Sequence, residues 1–299
     1  MTVVWRIMPP VFRFAPSPNG YLHLGHAYSA LLNFELARRE GGRFLLRIED
    51  IDRTRCRREF EQAIFDDLGW LGLSWENPVR RQSEHFHDYA VALAQLERAG
   101  LIYPCFCTRK DIAGEIARAG IAPEASELSS DGPVYPGRCR GLTVDQRHER
   151  MAGNTPYALR LDVAKARALV GEPIAFEEIG SGPQGQTGAQ LAYPERLGDV
   201  VLARKDMPTS YHLAVVVDDH LQGVTLVSRG NDLFGATYIQ RLLQELLRYA
   251  APTYLHHRLI LDVDGRKFSK RNHAVTLASL RASGATPAKV RAMIGLEQL

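Results

Sequence analysis

The feature that most limits how this chain can fold lies near its start: a short apolar strand, a proline-glycine turn and an amphipathic helix in immediate succession. Val11-Phe-Arg-Phe-Ala15 reads as a buried strand and Pro16-Ser-Pro-Asn-Gly20 as a turn. Leu24, Ala27, Tyr28, Leu31 and Leu32 then follow the spacing of a helix with one apolar face, and Gly41-Gly42 ends it. Phe44-Leu-Leu-Arg-Ile48 is the next strand, with helices expected from Cys56 to Leu68 and from Ser83 to Arg98. Such alternation needs right-handed crossovers onto a parallel sheet, so an α/β fold is expected.

The rhythm breaks from about Leu101 to Asp206. Cysteines appear, with a Pro/Gly/Ser-rich stretch from Pro123 to Gly137 and a glycine cluster at Gly180-Ser-Gly-Pro-Gln-Gly-Gln-Thr-Gly188. An inserted domain is the expected reading. Alternation returns with the strand-like apolar runs Leu213–Val217 and Val224–Val227, a helix from about Gly235 to Arg248, and Leu259-Ile-Leu261. The expected division is 11–100 and 209–262 for two halves of a Rossmann-like domain, 101–208 for the insert, and 263–299 for a loop and a short helical tail.

Charge and hydropathy exclude little. The 37 basic and 34 acidic residues leave a formal charge of +3, which permits an RNA partner without arguing for one. No apolar run approaches the roughly 18 residues of a membrane helix. The start, with one arginine and Pro9-Pro10, does not read as a signal peptide. A cytoplasmic protein is expected, and a monomer. Thiols stay reduced there, so Cys56, Cys105, Cys107 and Cys139 are better metal ligands or free thiols than disulfide partners.

Two strings carry chemistry. In Pro16-Ser-Pro-Asn-Gly-Tyr-Leu-His23-Leu-Gly25-His26, the helix start points backbone N–H groups and the positive helix end into a crevice, which suits a polyphosphate. His23 and His26 can reach the same anion, and Gly25 lets a flat base approach the backbone without a Cβ in the way. The plainer alternative is that both histidines only satisfy hydrogen bonds at the helix start. The second string is Asp264-Gly-Arg-Lys267-Phe-Ser-Lys270-Arg271. Two lysines flanking Phe-Ser on a loop can meet the charge that builds on a leaving pyrophosphate.

Together the strings resemble the two signatures of class I aminoacyl-tRNA synthetases, with Leu24, Phe268 and Arg271 as small departures that remove no charge. The resemblance implies the family's Rossmann-like parallel sheet with an inserted acceptor-binding-type domain. It also implies His23, His26 and Lys270 as catalytic, with Gly25, His23, His26, Lys267 and Lys270 at ATP, which enters with magnesium. Arg13-Phe-Ala-Pro-Ser17, Leu46-Arg-Ile-Glu49-Asp-Ile-Asp52, Tyr211 to His220 and Val227-Ser-Arg229-Gly look like the glutamyl branch. By that pattern Arg13, Ala15, Ser17, Glu49, Tyr211 and Arg229 surround bound L-glutamate. The residue chemistry agrees: two carboxylates and one ammonium call for cations and one anion.

Tyr103-Pro-Cys105-Phe-Cys107 and Tyr135-Pro-Gly-Arg-Cys139 supply three soft ligands where a structural zinc takes four. Some members of the family complete the set with a tyrosine, and Tyr135 fits that pattern, so one structural zinc is expected. Cys56 is read as a free thiol.

The chain ends at Leu299, 28 residues past Arg271, too few for an anticodon-reading domain. It therefore resembles the short paralogues, the glutamyl-queuosine tRNA(Asp) synthetases, which are understood to activate glutamate without tRNA. They pass it to the queuosine base in the anticodon loop of tRNA(Asp). Val215, where full-length glutamyl enzymes carry a polar residue, agrees. Two alternatives stay open: an ordinary glutamyl-tRNA(Glu) synthetase module lacking or borrowing an anticodon-binding domain, and a catalytically silent nucleotide- or RNA-binding paralogue.

Overall fold

The structure is a computed structural model that describes residues 9–119, 134–204, 206–261 and 275–297. The chain forms β1 (Val11–Phe14), β2 (Arg43–Ile48), β3 (Arg80–Arg81), β4 (Ile102–Cys105), β5 (Ala158–Leu161), β6 (Ala175–Glu178), β7 (Gly188–Leu191), β8 (Val201–Arg204), β9 (Leu226–Gly230) and β10 (Thr253–His257). Seven of them make one sheet in the order β3-β2-β1-β9-β10-β6-β7. Every neighbouring pair in it is parallel except β6 and β7. A separate antiparallel sheet joins β4, β5 and β8.

Strand order reverses between β1 and β9. From β1 the chain winds outward through β2 and β3, and from β9 it winds the other way through β10. A crevice opens at such a switch point, beyond the carboxyl ends of the strands, and in α/β folds ligands bind there.

Side chains on a strand alternate between faces. Phe12, Phe14, Phe44, Leu46 and Ile48 pack with the helix Leu24–Arg39, the helix Arg58–Trp70 and the C-terminal helices Leu277–Ala282 and Pro287–Met293. Val11 and Leu45 join the opposite core with helices Phe86–Arg98, Tyr211–Leu221 and Ala236–Leu247. The alternation therefore turns Arg13 and Arg47 toward the helix Tyr211–Leu221. That placement sets up the site.

The apolar run at 213–217 forms part of this helix and not the strand its composition suggested. Ser210 caps it, its Oγ accepting from Leu213 N–H at 3.4 Å. Every residue from His212 to Asp219 is buried, so the helix lacks the polar face that would have marked its period. The returning strands also differ in position: β9 begins at Leu226, and β10 lies at Thr253–His257, ahead of the Leu259–Leu261 run.

The stretch 101–208 feeds both sheets. β4, β5 and β8 form the small one, whereas β6 and β7 extend the main sheet through the pair Tyr254–Glu178. The chain beyond residue 274 returns to the first helix. Thr276 bridges His23 in antiparallel fashion, and Leu277 N–H donates to Leu22 O at 2.8 Å. No helix among the described residues is long and apolar enough to cross a membrane.

Candidate active site

A cavity of about 520 Å³ occupies the switch point. Its wall includes Arg13, Ala15, Ser17, His23, Gly25, His26, Glu49, Tyr211 and Arg229. All nine come from the strings singled out in the sequence, and they arrive from β1, β2, β9 and two helix starts. Lys267 and Lys270 lie outside the described residues.

The histidines sit at the N-terminus of helix Leu24–Arg39. Gly25 N–H donates to His23 Nδ1 at 3.1 Å, and His23 N–H donates to His26 Nδ1 at 3.2 Å. This reciprocal cap is a capping box built from two imidazoles. The rings lie 3.8 Å apart, centre to centre. A backbone N–H can only donate, so each Nδ1 accepts, and a neutral imidazole then carries its proton on Nε2. The capping bonds of the plainer alternative are thus present, and they have a chemical consequence: both rings are held as Nε2–H tautomers. A Cβ on Gly25 would stand 3.1 Å from His23 Cε1, so glycine is what lets the His23 ring fold over its own helix start.

The cations divide into two groups. Arg13 Nε donates to Asp219 at 3.1 Å and its Nη1 to Ser228 O at 3.3 Å. Arg47, fully buried, meets the same Asp219 at 2.7 Å and Glu49 at 3.1 Å. Burial works against the Arg47 charge, but Asp219, Asp218 and Glu49 outweigh it and hold its pKa above the ordinary value. Burial likewise opposes ionisation of Asp219, yet Arg13 and Arg47 keep its carboxyl below the usual range. At Glu49 burial prevails and raises the pKa against the pull of Arg47 and Arg13.

Arg229 is different. Also buried, it donates from Nε to His256 Nε2 at 3.1 Å, from Nη2 to Thr237 Oγ1 at 2.6 Å and from Nη1 to Gln240 Oε1 at 2.8 Å. Its Nη1 also lies 3.4 Å from Tyr211 Oη. None of these hydrogen-bond partners is an acid, so among the described residues the guanidinium beside the cavity has no carboxylate bonded to it. The sequence suggested Arg13 and Arg229 as equal cations; the geometry makes Arg13 part of a balanced set and leaves Arg229 unbalanced.

Two further residues were not assigned a role from the sequence. Arg47 stood in plain view inside a strand run, and an arginine amid Leu46 and Ile48 was the available signal. His257 also lines the cavity; its Nδ1 donates to Arg258 O at 2.9 Å, leaving Nε2 an acceptor without a partner among the described residues.

Beyond the cavity, the sulfur atoms of Cys105, Cys107 and Cys139 lie within 4.8 Å of one another. Cys107 and Cys139 are 3.5 Å apart, and Tyr135 Oη lies 3.6 Å from Cys107 Sγ. Three converging thiols with one phenol beside them fit a tetrahedral, thiolate-rich metal site. The Arg160 guanidinium covers the Tyr135 ring at 4.0 Å, a cation placed to ease the cost of a phenolate. Without a cation in the cluster the phenol stays neutral, because burial pushes its pKa up. Cys56 stands apart, half-buried, 3.8 Å from Ser17 Oγ.

Residues 11–297 match the family model described as the catalytic domain of class I tRNA synthetases (E and Q). A glutamyl-Q tRNA(Asp) synthetase of Rhodobacter capsulatus is 47% identical over 291 residues, covering 96% of this chain and 100% of that one. The chain is also 37% identical to a glutamate–tRNA ligase of Aquifex aeolicus, over 92% of this chain and 54% of the other. Among solved structures, a glutamate tRNA ligase from Elizabethkingia meningosepticum, in complex with its amino acid, superposes with a TM-score of 0.68 at 29% identity. That match covers 88% of this chain and 52% of the ligase.

Proposed function

The chain belongs to the class I tRNA synthetase (E and Q) catalytic-domain family and is an aminoacyl-tRNA ligase, and from that premise we propose that it activates glutamate with ATP and passes it to the queuosine base of tRNA(Asp). One observation carries the choice of substrate: a buried Arg229 without an acidic hydrogen-bond partner among the described residues shares a cavity with a helix start that presents two imidazoles in the Nε2–H form. A dicarboxylate supplies the missing negative charge, and a triphosphate takes the donors. The 47% identical relative that the chain spans end to end bears the name of the queuosine activity, which supports the acceptor.

In the first step a carboxylate oxygen of glutamate attacks the α-phosphorus of ATP. The new O–P bond forms as the bond to the β-phosphate oxygen breaks, and pyrophosphate leaves with the electron pair. His23 and His26 donate Nε2–H to the phosphate oxygens, and Lys267 and Lys270 meet the leaving group. Arg229 holds one carboxylate of the substrate. Arg13, Ala15, Ser17, Glu49 and Tyr211 shape the rest of the pocket, with Glu49 facing the ammonium. In the second step a hydroxyl of the queuosine cyclopentene diol attacks the adenylate carbonyl and AMP departs. Magnesium bound to ATP offsets phosphate charge. Cys105, Cys107 and Cys139, with Tyr135, would hold one zinc, which would brace the loops beside the smaller sheet. The reaction runs in the cytoplasm, where the RNA acceptor is.

Transfer of labelled glutamate to queuosine-containing tRNA(Asp), to queuosine-lacking tRNA(Asp) and to tRNA(Glu) tests this reading. Label should appear on the first alone, and glutamate-dependent exchange of pyrophosphate into ATP should proceed without tRNA. Charging of tRNA(Glu) would move the chain to the ordinary ligases. Absence of both exchange and transfer would make it a silent paralogue.

A further inference from the structure

Behind Arg229 runs a buried chain of groups that reaches out of the cavity. Arg229 Nε donates to His256 Nε2 at 3.1 Å, and His256 Nδ1 meets Glu178 Oε2 at 2.5 Å. The other oxygen of Glu178 accepts from the backbone N–H groups of His256 and Gly180, each at 2.8 Å. Glu178 and His256 have fully buried side chains. Glu178 is the last residue of β6, from the 101–208 stretch, and His256 lies on β10. Gly180 permits the approach, since a Cβ there would fall 2.3 Å from His256 O and 2.9 Å from Glu178 Oε1.

The polarity of this chain is forced. An arginine Nε can only donate, so His256 Nε2 accepts, and its single proton sits on Nδ1 facing a carboxylate that can only accept. We propose that Glu178 and His256 are positioning residues for substrate selectivity: together they fix the Arg229 guanidinium with its Nη end toward the substrate carboxylate, and they supply the remote negative charge that keeps it buried. Burial, reinforced by Arg229, pushes the His256 pKa down to about 4, so the imidazole stays neutral and no positive charge forms beside Arg229. Burial opposes the Glu178 charge, but the His256 ring and backbone hold its carboxyl below the usual range. A carboxylate placed directly against Arg229 would cancel the charge the substrate is meant to meet. Set one imidazole away, it orients the guanidinium and leaves it unneutralised.

This inference rests on glutamate being the ligand, and the test separates the two ideas. Glu178→Gln keeps the shape but turns an acceptor into an amide donor opposite His256 Nδ1. The histidine must then move its proton to Nε2, where it confronts Arg229 Nε. Nitrogen-15 NMR of labelled histidine should find the Nδ1–H tautomer of His256 in the unaltered protein and the Nε2–H tautomer in the variant. Calorimetry should find glutamate bound at least tenfold more weakly by the variant, with ATP affinity within twofold. His256→Leu, which removes the acceptor without adding charge, should weaken glutamate to a similar degree. Unchanged glutamate affinity in Glu178→Gln, an unchanged tautomer, or an equal loss for ATP would overturn the proposal. If the unaltered protein binds glutamate normally but shows no pyrophosphate exchange, the reaction is wrong while the positioning role stands; if it binds no glutamate, both fall.

Discussion

The two walls of the cavity treat positive charge in opposite ways. On the β1–β2 side, Arg13 and Arg47 converge on Asp219, with Glu49 and Asp218 close by and Arg80 paired to Asp218, so three cations meet three carboxylates within the protein. On the β9–β10 side, the hydrogen-bond partners of Arg229 among the described residues are hydroxyl, amide and imidazole groups. A buried charge is costly unless paired. The paired set is therefore stable without a ligand, whereas a ligand's acid would stabilise Arg229. Identity of residue type says little here; the arrangement of acids decides.

Removing Asp219 should have the largest effect, and it falls on stability. Asp219→Ala strands two buried guanidinium groups, and breaking such a pair costs about 3–5 kcal/mol. Denaturant unfolding should show the loss, and it should depend on pH in a set direction. The folded Asp219 carboxyl titrates below its unfolded value, so its contribution is present above the ordinary aspartate range and fades as the solution is acidified. A variant as stable as the parent would mean that the β1–β2 charges are not a structural unit.

Arg229→Ala should act on binding instead. Loss of one partner from a buried charge pair costs about 2–5 kcal/mol, here read as weaker glutamate recognition with ATP affinity nearly unchanged. Glutamine brings one carboxylate fewer and should lose less, so the preference between the two amino acids should narrow in pyrophosphate exchange. An unchanged preference would break the contrast between the walls.

His26→Ala tests the helix start that lies between them. Adenylate formation should slow by about 10², the scale for losing one donor to a charged transition state. Glutamate affinity should hardly move, and single-turnover kinetics separates the two.

The smallest effect sharpens the contrast from outside the cavity. Asp67 is buried and both its carboxylate oxygens lack hydrogen bonds, with only the partly exposed Arg281 at 3.3 Å. Burial raises its pKa to about 6. A raised folded pKa means the stabilising form is the protonated one, lost as pH rises from the ordinary aspartate value through about 6. Asp67→Asn should therefore gain stability on the order of 1–3 kcal/mol at pH 8 and flatten that slope. Chemical denaturation at pH 4, 6 and 8 would show it.

Much of the cavity was legible because its residues lie in contiguous strings. A strand, turn and helix start must occur together in the chain, so His23, Gly25 and His26 declare themselves. The partners of the arginines do not. Asp219 is 206 residues from Arg13, and Glu178 is 78 from His256, separations across which no local pattern carries information. The helix Tyr211–Leu221 was misread for a related reason: burial on all sides erased the periodicity by which helices are known. The glycine cluster from 180 to 188 marked only a break in rhythm, and it carries the turn that returns β7 beside β6.

The bridge between Thr276 and His23 fixes the described chain just past the lysine-bearing string against the helix start. Leu261 lies four residues past the end of β10, next to the cavity-lining Leu259 and Ile260, and Thr276 is bridged to His23 at the helix start. At no more than about 3.6 Å per residue, Lys270 stays within roughly 20 Å of Val275 in any conformation. In the reaction proposed above, its meeting with a nucleotide would be an intramolecular encounter, with an effective concentration on the millimolar scale that dilution of the protein does not lower.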